Sequence, residues 1–274
     1  MKIWAHRGCS QKYPENTITS FTKAAELFER GLEGIELDVQ LTKDGEIVVI
    51  HDERVDRTTD GFGFVRDYTL EELKTFHIHT GSREPEYIPT LKEVLELLES
   101  KMKKGFRLNI ELKNSVYPYP GLEEKTHEMV CKYGVESYVV YSSFSAISLE
   151  RMRQIAPENE IGVLDTNVSN CLYKLKGGCG ADALHPYWRA IDLPAERLAG
   201  YTVRAWLTGH LYPEKPTGGR LDIKALEEQG ITDLFLNEPE EYVYIIRKTP
   251  NKLFEKHQTN YSKNTKQNLK TPVN

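Results

Sequence analysis

A chain of 274 residues holds one large barrel or two smaller domains, and its 36 Lys and Arg against 41 Asp and Glu leave a formal charge of −5. That balance excludes the basic stripe of a nucleic-acid surface, so an anionic ligand has to be met by local cations. No apolar run approaches the ~20 residues that span a bilayer, and no charged-then-apolar leader is visible. A soluble, cytoplasmic protein without stable membrane insertion is therefore expected. The cysteines, Cys9, Cys131, Cys171 and Cys179, lack zinc-type spacing and read as reduced thiols. Only Cys9 lies beside a motif, and nothing in the sequence lowers its pKa.

Residues 2–5 are expected as a first strand that ends at His6-Arg7-Gly8. A helix follows from Asn16-Thr17, with Phe21, Ala24, Ala25, Leu27 and Phe28 on one face and Gly31 as its stop. Residues 35–41 and 47–50 are β-rich runs joined at Lys43-Asp44-Gly45, a strong hairpin signal. From 53 to 89 the pattern is poor and only 69–76 reads as helix, so this stretch is expected as an insertion outside the core. Residues 90–104 form an amphipathic helix capped by Thr90, with Leu91, Val94, Leu95 and Leu98 buried.

Strands at 106–112, 138–141, 160–164, 182–185, 202–207 and 233–236 then alternate with helices at 122–133, 147–155, 168–175, 196–198 and 222–228. Setting aside the returning hairpin strand, eight strands remain. Their alternation with helices implies a parallel sheet and, in about 240 residues, an α/β chain folded as a (β/α)8 TIM barrel. A doubly wound open sheet would want a glycine-rich phosphate loop after its first strand, and His6-Arg7-Gly8-Cys9 is not one. The barrel is expected over residues 1–248. Residues 249–274, rich in Lys, Asn, Thr and Gln, are expected as a flexible polar tail.

Glu36 and Asp38 are two apart and so share one side of their strand. Folding the hairpin near Asp44 returns His51 and Asp52 beside them. Two buried like charges repel, and they need a cation between them. Barrel enzymes place their chemistry at the C-terminal ends of the strands, where His6, Arg7, Glu111, Lys113 and Trp206 also fall. The carboxylates Glu36, Asp38 and Glu111 make an oxygen-rich site suited to one hard divalent cation, Ca2+ or Mg2+. Zinc is disfavoured, since no cysteine and no closely spaced histidine pair joins them.

Each residue also has a plainer explanation. Glu111 alone is equally well explained by an ion pair with Lys113, and a lone histidine at a strand end is more often structural. Two histidines beside a metal site, His6 and His51, read instead as an acid–base pair working near neutral pH. Arg7 and Lys113 are placed to neutralise an anion, Arg7 with a fork that matches phosphate oxygens. The set describes phosphoryl transfer rather than carbonyl chemistry. His185 is a weaker candidate for lining the site, and His77, His79, His127, His210 and His257 read as surface residues.

Seven motifs stand in order: His6-Arg7-Gly8, Pro14-Glu15-Asn16-Thr17, Glu36-Leu37-Asp38-Val39, His51-Asp52, Arg57-Thr58-Thr59, Ile88-Pro89-Thr90-Leu91 and Asn109-Ile110-Glu111-Leu112-Lys113. In order and spacing they resemble the glycerophosphodiester phosphodiesterase family, closely over residues 3–113 and more loosely through Ser143-Phe144, Trp206 and Pro239. The resemblance implies a metal-dependent barrel with a small insertion after the His-Asp motif, hydrolysing glycerophosphodiesters to glycerol 3-phosphate and an alcohol. It implies that Glu36, Asp38 and Glu111 bind the cation and that His6 and His51 are the acid–base pair. It further implies that Arg7 and Lys113 contact phosphate and that Trp206 packs on the substrate.

Two departures stand out. The family's W-T-V-N is here Trp206-Leu207-Thr208-Gly209-His210, and its closing T-D-x-P is Leu236-Asn237-Glu238-Pro239. Both are expected on the leaving-group side, where they bear on the choice of alcohol. Water and the glycerol 2-hydroxyl both remain available as the attacking group. Two other readings are a lysophospholipase D-type or other phosphodiesterase, with Phe62, Phe64, Phe144, Trp188 and Leu211 as an apolar track, and a non-catalytic phosphate-ligand barrel. The second has no use for two histidines.

Overall fold

In the computed structural model, which describes residues 1–80, 85–208 and 215–243, the strands carry apolar residues at every second position. In β2 (Gly34–Leu41), Ile35, Leu37, Val39 and Leu41 join the apolar layer beneath the helices, which turns Glu36, Asp38 and Gln40 to the opposite side. β4 (Arg107–Leu112) repeats this, with Leu108, Ile110 and Leu112 outward and Asn109 and Glu111 inward. One face meets helices and the other meets itself around an axis, so closure leaves neither face in water.

The closed order is β1 (Lys2–His6), β9 (Asp233–Leu236), β8 (Thr202–Trp206), β7 (Ala183–Pro186), β6 (Glu160–Asp165), β5 (Val139–Ser143), β4 and β2, and β2 pairs back onto β1. All eight run parallel. The ninth strand, β3 (Ile47–Val49), lies outside the barrel, antiparallel to the end of β2. This is the expected (β/α)8 barrel with its hairpin strand.

The helices that follow the barrel strands are α1 (Ile18–Glu26), α3 (Leu91–Met102), α4 (Leu122–Lys132), α5 (Ala146–Ile155), α6 (Val168–Lys176), α7 (Ala195–Leu198) and α8 (Ile223–Glu228). Thr17 and Thr90 start α1 and α3 with reciprocal side-chain and backbone hydrogen bonds. Leu91, Val94, Leu95, Leu98 and Met102 bury one face of α3, and each such side chain contributes roughly 1.5–3 kcal/mol.

The segment 53–89 has more order than its pattern suggested. It holds α2 (Leu70–Leu73), a 3-10 turn at Val65–Asp67 and isolated bridges such as Arg54 with Phe64 and Thr59 with Ile78. Val55, Val65, Leu73, Ile78 and Ile88 close with Val48 and Ile50 into a small apolar cluster of their own. Its members come from a strand, a short helix and several turns rather than from one element, so no single period announces it. No helix among the described residues is long and apolar enough to cross a membrane. The expected tail at 249–274, together with Gly209, His210, Leu211 and His257, lies outside the described residues.

Candidate active site

β1 stops at His6 because the next two residues adopt left-handed backbone, Arg7 at φ 56° and Gly8 at φ 83°. A Cβ on Gly8 would also sit 2.5 Å from Ser20 Oγ, so the position requires glycine twice over. Arg7 carries the same strain with a side chain, and the surroundings hold it there. Its N–H donates to the Glu36 carbonyl at 2.9 Å and to Glu36 Oε2 at 3.0 Å. Its carbonyl accepts from Asn16 N–H and Ser20 Oγ, each at 3.1 Å. Asn16 is left-handed too, at φ 55°, and its Nδ2 donates to Asp38 Oδ2 at 2.9 Å. Both strained residues thus grip carboxylates of β2.

Sheet register sets His6 level with Glu36, and Asp38 level with Glu111. One oxygen from each of Glu36, Asp38 and Glu111 lies within 4.8 Å of the others, and all three side chains are buried. Burial, reinforced by Asp38, pushes the Glu36 carboxyl well up, and burial pushes Glu111 up to about 7 against the pull of Lys113. Asp38 goes the other way: against burial, the charges of His51, Arg7 and Lys113 hold it below the usual carboxylate range. Asp38 Oδ1, Asn16 Oδ1 and Asn109 Oδ1 are buried acceptors with no hydrogen-bond donor. Crowded carboxyls driven toward protonation, beside unsatisfied oxygens, are relieved by a hard cation. The residues present fit one.

A cavity of about 450 Å3 opens at the C-terminal ends of the strands, with His6, Arg7, Glu36, His51, Glu111 and Lys113 among its lining residues. Apolar Val116, Phe144, Leu164, Trp206 and Phe235 line it as well. The two imidazoles have unlike partners. His51 Nδ1 lies 2.7 Å from Asp52 Oδ1, and its Nε2 is 3.1 Å from Lys113 Nζ. His6 Nδ1 lies 2.7 Å from Asn237 Oδ1, and its Nε2 is 3.9 Å from Glu36 Oε2. Burial and the Arg7 charge lower both, His6 to about 3. Lys113 Nζ is also 3.1 Å from Glu111 Oε1, so the ion pair and the place in the cavity hold together. Against burial, Glu111 and Asp38 raise the lysine.

Of the eight residues singled out in the sequence, the structure brings seven to the cavity wall, while Asp38 is fully buried against Arg7 and Asn16. Trp206 stacks with Tyr187 at 4.9 Å and meets Phe144 edge-on at 6.5 Å, with its Nε1 donating to the His185 carbonyl. Several expectations change. Asn237, which the sequence offered only as part of the closing segment, sits on His6, because β9 pairs with β1 and carries the next residue over the end of that strand. His185 is fully buried against Arg204 and is not part of the cavity wall.

His127 is half-buried and bonded to the Tyr141 hydroxyl rather than exposed. Cys9 is buried, and burial with Glu240 pushes its thiol up to about 12, which disfavours a thiolate there. Of the proposed apolar track, Phe144 alone among the described residues lines the cavity, while Phe62 and Phe64 stack on Arg54.

Sequence reasoning passed over Asn109, Glu15, Asn16, Asp52 and Arg57 as individual contributors, although all stood inside the quoted motifs. Asn237 showed only as an unusual amide in the closing segment.

The glycerophosphoryl diester phosphodiesterase family profile matches residues 6–185. A glycerophosphodiester phosphodiesterase of Caldanaerobacter subterraneus subsp. tengcongensis is 39% identical over 252 residues, covering 90% of this chain and 98% of that protein. A glycerophosphodiester phosphodiesterase of Bacillus altitudinis is 47% identical over 173 residues, covering 61% of this chain and 67% of its own. Among solved structures, an Oleispira antarctica phosphodiesterase in complex with the product sn-glycerol-3-phosphate superposes with a TM-score of 0.71 at 28% identity, covering 91% of this chain and 97% of that one. With a closed barrel, an acidic cluster at its mouth and this agreement over most of its length, the chain belongs to the glycerophosphoryl diester phosphodiesterase family, a family of enzymes that is generally metal-dependent.

Proposed function

We propose that this cavity hydrolyses glycerophosphodiesters to sn-glycerol 3-phosphate and an alcohol, using one Ca2+ or Mg2+ and the two histidines. One observation carries the reading: three buried carboxylates cluster within 4.8 Å, and two of them line one cavity with two imidazoles and the cations of Arg7 and Lys113. The sn-glycerol-3-phosphate bound as product in the Oleispira antarctica structure supports the choice of product.

Glu36, Asp38 and Glu111 are the residues that hold the metal. When bound, it supplies Lewis-acid stabilisation of charge developing on the phosphoryl group. Arg7 and Lys113 bind the phosphodiester and orient it, so that attack becomes effectively intramolecular. The unlike partners of the histidines divide the proton transfers. A carboxylate behind Nδ1 stabilises an imidazolium and works against the burial and cations that lower His51. His51, backed by Asp52, is therefore the group that carries a proton on Nε2 once substrate draws Lys113 away and delivers it to the departing alcohol oxygen. An amide gives no such charge stabilisation. With Asn237 Oδ1 as acceptor, the His6 proton resides on Nδ1 and the Nε2 lone pair is left to take the proton of the nucleophile.

The test is release of glycerol 3-phosphate from glycerophosphocholine with Ca2+, with Mg2+ and with a chelator. Turnover lost on chelation and restored by one cation is the expected result, and no turnover by the folded protein under either cation would refute the reading. A substrate with a p-nitrophenolate leaving group needs no proton donor. On it His51→Ala should recover most of its loss while His6→Ala should not, and the opposite pattern would exchange the two roles.

A further inference from the structure

Glu15 and Arg57 lie behind the groups assigned to phosphate, metal and proton transfer, yet they tie two separate parts of the site together. Arg57 donates to Asp52 through Nε at 2.6 Å and Nη2 at 3.1 Å. On its other side it donates to Glu15 through Nη1 at 2.8 Å and Nη2 at 2.6 Å. Glu15 Oε1 accepts in addition from Arg7 Nη1 at 3.0 Å. An unbroken line of alternating charge thus runs Arg7, Glu15, Arg57, Asp52, His51. Its ends come from different places, Arg7 from the turn after β1 and His51 from the segment after β3.

Only a planar fork engages two carboxylates at once in this way. The single ammonium of lysine has no matching geometry. The Arg57 side chain is 40% exposed, so its ion pairs add little to folding stability. The geometry therefore suits orientation rather than cohesion. Asp52 receives both the His51 ring and the Arg57 fork, so the carboxylate plane, and with it the imidazole, is fixed by Arg57.

We infer that Arg57 and Glu15 act as a positioning clamp, holding the His51 imidazole and the Arg7 guanidinium in one relative geometry so that proton donation and phosphate contact are set together. This rests on the roles given to His51 and Arg7 above. Small misplacements of reacting groups are costly, about 10²-fold for an error of about 1 Å.

The experiment measures kcat and KM for glycerophosphocholine in Arg57→Ala, Arg57→Lys, Glu15→Gln and the double variant Arg57→Ala/Glu15→Gln, each checked for folding by circular dichroism. In Arg57→Ala, kcat should fall and KM should rise, together lowering kcat/KM about 10²-fold. Added guanidinium ion should restore at least about tenfold of that loss, whereas Arg57→Lys should remain impaired. The double variant should be no worse than Arg57→Ala alone, because both changes cut one line. If Arg57→Ala does not fold, Glu15→Gln carries the test from the other end.

Wild-type kinetics in the folded single variants would overturn the clamp. So would losses that multiply in the double variant and ignore guanidinium. An inactive wild-type enzyme would instead overturn the functional reading on which the clamp depends, so the two failures are distinct.

Discussion

At the N-terminal end of the barrel, Arg204 donates to Asp233 at 3.2 Å, to Glu160 at 3.0 Å and to His185 Nε2 at 2.8 Å. Arg107 closes on Glu160 at 2.7 Å, Trp4 Nε1 donates to Asp233 at 2.9 Å, and both guanidinium groups lie over the Trp4 ring. Gly34 makes the space: a Cβ there would fall 2.8 Å from that ring. Two cations meet two anions, and Arg204 with Arg107 holds the Glu160 carboxyl down in spite of burial. At the mouth, by contrast, Glu36 and Glu111 are pushed up and acceptors of Asp38, Asn16 and Asn109 stay unpaired. The floor pairs each of its charges within the protein, and only the neutral His185 Nδ1 is left without a partner. The mouth is complete only with something positive in it, and that incompleteness is what marks it as the working end.

Four measurements can break or sharpen this contrast. The largest effect belongs to the mouth: His51→Ala should lower kcat by roughly 10²–10⁴-fold with its melting temperature nearly unchanged, and a wild-type kcat would remove the residue from the proton transfers. Next is the floor, where Arg204→Met leaves Asp233 and Glu160 short of their partner. A loss of about 3–5 kcal/mol in denaturant unfolding is expected, and a neutral result would mean that the floor charges are not interdependent.

Third, a divalent cation at 100 times its Kd should stabilise the wild type by about 2.7 kcal/mol, read as a rise in Tm that a chelator reverses. Glu111→Gln should lose much of that rise, read against the variant's own metal-free melting temperature because the change also removes the ion-pair partner of Lys113. An undiminished rise would take Glu111 out of the ligand set.

The smallest effect is at Glu15, which Arg57 and Arg7 hold at about 2 although burial opposes them. A depressed carboxyl contributes stability that is present above its unfolded value of 4.5 and is lost as pH falls toward about 2. With solvent screening of the half-exposed Arg57 discounted, that contribution is about 1 kcal/mol or less. The stability gap between wild type and Glu15→Gln should therefore narrow between pH 4.5 and 2, and a constant gap would show that the ion pairs are not its source.

What the sequence determined is what lies within one element or one motif. A strand has a period of two, so Glu36 with Asp38, and Glu111 with Lys113, had to share a face wherever the strand went. Eight strands alternating with helices left few ways to close, and the seven ordered motifs named the family. The tertiary structure decided every relation that crosses the barrel. The seating of Asn237 on His6 depends on β9 pairing with β1, and the span from Glu15 to Asp52 depends on where the segment after β3 folds back. The burial of His185 against Arg204 needs a neighbour on β6 with no side chain, since a Cβ on Gly162 would lie 2.2 Å from the imidazole. Such contacts join residues far apart in the chain through the register of several strands at once, and no local spacing encodes that register.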